Sequence, residues 1–127
     1  MTSFIDTKCI LRYLVDYPEA ITVEKLLKSK QEIILPDIVV SELVWVLLSF
    51  YGWPKIKIIE VLSTLLQLKA IKANHKLLST ALLLYSQNNI DYIDAYIIAL
   101  MRQEEVTTIY SYDRHFNKVK DITRRKP

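Results

Sequence analysis

Short runs of β-forming residues alternate with helix-length segments along this chain, and that alternation constrains the fold more than any other feature. Ser3-Phe4-Ile5 reads as a short buried strand ending at Asp6. Thr7 to Val15 reads as a helix, with Ile10, Leu11 and Leu14 on its apolar side. Pro18 ends it, and Ala20 to Ser29 forms the next helix. Glu32 to Leu35 is a strand closed by Pro36, and Asp37 caps a helix from Ile38 to Tyr51. Gly52 and Pro54 punctuate before a helix from Lys55 to Leu68. Ala70 to Ala73 is an edge-strand candidate. Asn74 caps Lys76 to Ser86, and a further helix runs from Asp91 to about Glu104. Thr107 to Tyr110 is rich in β-formers. A helical turn and a last strand, Lys120 to Thr123, close the chain. Strands separated by helices in this way predict an α/β domain with a small, mainly parallel sheet, because parallel neighbours need a crossover long enough to hold a helix.

A length of 127 residues, with no linker, repeat or low-complexity stretch, is expected to form one domain spanning 1–127. Gly52 is the sole glycine, which excludes a glycine-rich phosphate loop and the dinucleotide fingerprint. Cys9 is the sole cysteine, so no internal disulfide forms, as suits a reducing cytosol. Asp6 interrupts the first apolar run, which argues against a signal peptide. The most hydrophobic stretch, Ile38 to Trp53, holds Glu42 and is too short for a membrane span. The expectation is a soluble, cytoplasmic protein. The net charge of +3 is mild, but the tail carries Arg114, Lys118, Lys120, Arg124, Arg125 and Lys126 against Asp121 alone. Such a tail either attracts a polyanion or is a solvated end.

The chemistry lies in the carboxylates. In NNIDYIDAYIIALM, Asp91 and Asp94 share one helix face at i,i+3 spacing. Asp91 fits the N-cap. Asp94, followed by Ala95 and apolar residues, is expected to enter a pocket, where a carboxylate needs a partner. Asp6 and Asp113 each follow a strand, at the sheet end where α/β proteins bind ligands; the alternative for both is a helix cap. Glu42 has apolar neighbours one turn away at Ile38, Val39, Trp45 and Val46, and is expected to be buried; Arg12 is the alternative partner. If Asp6, Glu42, Asp94 and Asp113 converge, their repulsion demands a cation. Oxygen donors select Mg²⁺ or Mn²⁺ over zinc, and His75 and His115 lack zinc-site spacing. A carboxylate-held Mg²⁺ suits phosphodiester hydrolysis. With those four acids set aside, the remainder is basic enough to hold a nucleic-acid backbone.

These motifs resemble the PIN domain. FIDTKCILRYL is similar to its opening strand and helix, PDIVVSELVWVL to its second motif with Glu42 as the acid, DYIDAYIIAL to its third with Asp94 principal and Asp91 auxiliary, and IYSYDRHF to its fourth, matched by Ser111, Tyr112, Asp113 and Phe116. The likeness is strongest to VapC toxins. It implies a Rossmann-like α/β/α sandwich, a Mg²⁺-dependent endoribonuclease acting on RNA, a homodimer and a small antitoxin partner. Asp6, Glu42, Asp94 and Asp113 would hold the metal, with Asp91 auxiliary; Ser111 would bond an acid or a water, and Lys8, Arg12 and Arg114 would contact phosphate. Lys8 departs from the family's usual Asn or Ser. An ammonium there either binds phosphate or takes the metal's place, leaving a non-catalytic RNA- or protein-binding module. A receiver-like signalling domain fits less well: one acid, not two, follows the first strand, and no lysine follows Thr107 to Tyr110.

Overall fold

The computed structural model describes residues 1–127 and divides into two compact units, Met1–His75 and Lys76–Pro127. In the first unit, β1 (Thr2–Phe4), β2 (Glu32–Ile34) and β3 (Ile71–Lys72) form a parallel sheet in the order β1-β2-β3. Ser3 lies opposite Ile33, and Ile33 opposite Ile71. Helices α1 (Thr7–Leu14) and α2 (Ala20–Leu27) cross from β1 to β2; α3 (Asp37–Ser49) and α4 (Lys55–Gln67) cross from β2 to β3. Two of these helices start where proline occupies the N-cap, Pro36 before α3 and Pro54 before α4. Proline has no N–H to lose there, and its extended ψ turns the chain into the helix. Ile10, Leu27, Ile33, Leu43, Leu47 and Ile58 are almost wholly withdrawn from water.

The second unit holds most of α5 (His75–Gln87), then α6 (Tyr92–Gln103), β4 (Thr108–Tyr110), a short 3-10 helix (Arg114–Lys118) and β5 (Thr123–Arg125). β4 and β5 pair in parallel, with Tyr110 opposite Arg125. Two side-chain clamps set this arrangement. Arg102 at the end of α6 grips Asp121 through two bonds, 3.0 and 2.9 Å. Lys118 Nζ donates to the Asn89 carbonyl at 3.1 Å.

The α/β class and the parallel pairing match expectation; the strand edges and several burial assignments do not. β1 starts one residue early, and Phe4, expected inside, is exposed, while Ile5 is buried. The last strand lies at Thr123–Arg125, not Lys120 to Thr123, because Asp121 is held by Arg102 and Ile122 turns inward. Asn74 directly precedes α5, and its side-chain amide N–H groups donate to both oxygens of Asp37, at 3.0 and 3.3 Å. No helix is long and apolar enough to cross a membrane.

Candidate metal centre

Asp94 sits in the first turn of α6, on a helix whose Ala95 and Ile98 are fully buried. That placement carries its carboxylate partly inside, and Oδ2 is buried with no hydrogen-bond partner. Burial pushes its pKa up, and the negative charges of Asp113 and Asp91 push it further. Asp91 is the N-cap residue by backbone geometry, but its side chain makes no capping bond.

Asp113 caps the 3-10 helix. Its Oδ1 accepts from His115 N–H at 2.9 Å and lies 2.7 Å from His115 Nδ1. The backbone bond and the imidazole hold this carboxyl below the usual range. Ser111 Oγ accepts from the Asp113 N–H at 2.9 Å, so the hydroxyl fixes the acid's backbone and not its carboxylate. One donor atom each from Asp94, Asp113 and His115 lies within 4.8 Å of the others. Two carboxylates and an imidazole at that separation are a fit for a divalent cation, and the lone Oδ2 of Asp94 gives the cation a specific atom to meet.

Sequence reasoning missed His115. Zinc-site spacing, a test of ligand pairs on one element, does not detect it. The usable signal was local: a residue two past an Asp N-cap is brought back to that cap by the turn.

Asp6, Lys8, Arg12 and Glu42 belong to the first unit. Asp6 lies beyond β1 and caps α1, its Oδ1 accepting from Cys9 N–H at 3.0 Å. The cap and the strand-end position, posed as alternatives, thus coexist: the bond uses one oxygen. Lys8 is exposed and forms no ion pair with Asp6. Glu42 is exposed, not buried. Its apolar flanks do not enclose it, because two of the four are in water themselves: Ile38 is 77% and Trp45 66% exposed, while Val39 is buried. Arg12 does not serve Glu42; its guanidinium stacks 4.3 Å from the Tyr17 ring centroid. Arg114 is exposed without an ion pair.

The PIN-domain family model matches residues 3–122. The chain belongs to the PIN domain family. PIN domains are generally metal-dependent nucleases that act on RNA, which agrees with the acidic cluster of α6 and the 3-10 turn. A search of curated proteins found no match to this PIN domain.

Proposed function

We propose that this PIN domain is a Mg²⁺- or Mn²⁺-dependent endoribonuclease, the cytoplasmic toxin of a toxin–antitoxin pair. One observation carries the metal-dependent chemistry, the buried, partnerless Oδ2 of Asp94 beside Asp113 and His115, and the toxin role rests on the resemblance of the motifs to VapC toxins. Asp94 and Asp113 would hold the ion, with Asp91 auxiliary and Asp6 and Glu42 as the further acids of the set. A divalent ion there supplies charge neutralisation and a water acidic enough to attack a phosphodiester near neutral pH.

The chain's own groups do the rest. The cap bond fixes the rotamer of Asp113, so its second oxygen keeps one direction. With its N–H on Nδ1, the His115 ring donates to Asp113 Oδ1 and limits the charge that oxygen carries. The Ser111 hydroxyl accepts from Asp113 N–H and keeps its own proton for a water or a phosphate oxygen. Lys8 and Arg114, both exposed and without ion pairs, are suited to phosphate contacts. Arg12 is the third proposed phosphate contact, although Tyr17 takes one face of its guanidinium.

The test is cleavage of RNA by purified protein with Mg²⁺ or Mn²⁺, against a chelator control. Asp94→Asn should lower the rate at least about 100-fold and weaken metal binding in calorimetry. A variant that cleaves at the wild-type rate would remove Asp94 from the centre and the function with it.

A further inference from the structure

We propose, building on the ribonuclease reading above, that Tyr110, Tyr112 and Arg125 form a platform for single-stranded RNA beside Asp113, the rings stacking bases and the guanidinium holding a phosphate. Tyr110 ends β4, Tyr112 follows two residues later, and Asp113 comes next. Each tyrosine is 68% exposed. β4 turns Ile109 inward and Tyr110 to solvent; β5 turns Arg124 inward and Arg125 to solvent. Because Tyr110 lies opposite Arg125 in the parallel ladder, phenol and guanidinium stand as neighbours on the solvent side.

Two arginines of this unit are occupied, and Arg125 is not. Arg124 donates to the Ser111 carbonyl at 3.0 Å and to Asn117 Oδ1 at 3.2 Å. Arg102 is held by Asp121. Arg125 has no ion pair or side-chain hydrogen bond, and neither tyrosine packs against another ring. A single exposed tyrosine needs no explanation. Two of them with a free arginine, in a run ending at a metal-centre acid, have the composition of a strand-binding surface: π faces that accept any base and a planar cation for the backbone. The basic tail thereby divides. Arg124 is structural, and Arg125 faces the ligand.

The probe is a fluorescein-labelled single-stranded RNA pool of about 12 nucleotides, titrated in chelator so that binding is read without cleavage. Tyr110→Ala and Tyr112→Ala should each weaken binding about tenfold. Tyr→Phe at either site, which keeps the ring, should stay within about twofold of wild type. The tyrosine variants should leave the slope of log Kd against log salt unchanged, while Arg125→Ala lowers it by about 0.7. All these side chains are exposed, and melting temperatures check that the variants fold. Alanine variants that bind like wild type, or phenylalanine variants as weak as the alanine ones, would overturn the platform. If the platform binds RNA as stated but Asp94→Asn leaves cleavage untouched, the surface stands and the metal centre falls. If cleavage depends on Asp94 while the tyrosine variants bind normally, the platform alone falls.

Discussion

Asp94 places a negative charge where its surroundings oppose one. Burial, then Asp113, then Asp91 raise its pKa above the ordinary value. An acid whose folded pKa is raised binds its proton more tightly in the folded state, so stability grows as pH falls toward that pKa. At neutral pH the ionised group therefore subtracts stability. Asp94→Asn keeps the shape and drops the charge, so in chelator it should melt above wild type, by about 2 °C for a group that is only partly buried. Millimolar Mg²⁺ or Mn²⁺ should reverse the order, raising wild type and leaving the variant unmoved, because only a site with the charge gains from the ion. A variant less stable than wild type in chelator, or equal metal stabilisation of both, would contradict a strained, ion-seeking carboxylate. Asp94 was legible in the sequence because an acid followed by an unbroken apolar run has few ways to stay solvated. Glu42 was not: apolar neighbours imply burial only if they are buried themselves, and Ile38 and Trp45 are not. His115 reaches the centre through the turn that its place two past the Asp113 cap imposes, a local signal that a search for zinc-ligand spacing passes over.

Helix ends in this glycine-poor chain are closed by residues that resist the geometry. α1 and α6 both finish with a left-handed residue, Asp16 at φ 58° and Glu105 at φ 57°. Behind Glu105, Val106 N–H bonds the Met101 carbonyl at 2.9 Å and Glu105 N–H the Arg102 carbonyl at 3.2 Å, the paired bonds of a Schellman closure. Tyr17 N–H reaches Arg12 in the same manner at 3.1 Å. Glycine is the usual occupant of such a position, since a Cβ there is strained. Glu105→Gly should therefore stabilise the protein by about 0.5–1 kcal/mol in urea titration, the gain in local strain exceeding the entropy added to the unfolded chain. A loss of stability would mean that the Glu105 side chain contributes more than its backbone costs. Neither stop announces itself as a glycine in the sequence, so the apolar pattern alone predicts the ends of α1 and α6 one residue late. The strands were found where β-branched runs are dense, at Glu32–Ile34 and Thr108–Tyr110. The final one slid to Thr123–Arg125 because a distant clamp, Arg102 on Asp121, decides where that segment becomes free to pair.

On the scale of the molecule, the family match spans residues 3–122 and so takes in both compact units. What the family pattern leaves unexplained is an apolar surface on α3. A helix apolar on all sides is ordinarily enclosed. Here Leu43 and Leu47 are fully buried, yet Ile38, Trp45 and Leu48 on the same helix stay in water. Ile38 and Trp45 are two turns apart and share a face, with Leu48 one turn on. Exposed indole and isobutyl groups gain from being covered at about 25 cal/mol per Å², and a second copy of the chain is the occupant we propose, in line with the homodimer that the resemblance to VapC toxins implies. A two-fold pairing would bring each Trp45 against the same patch of the other protomer, so one substitution is felt twice. Trp45→Glu should still unfold in one cooperative transition, since the ring contributes little to the core, its melting temperature falling only by what the dimer contact adds. In sedimentation the wild type should run as a dimer and the variant as a monomer, because the new carboxylates would meet across the symmetry axis in a water-poor contact. A dimeric variant would move the interface off α3. A monomeric wild type would exclude a second copy as the occupant of this face.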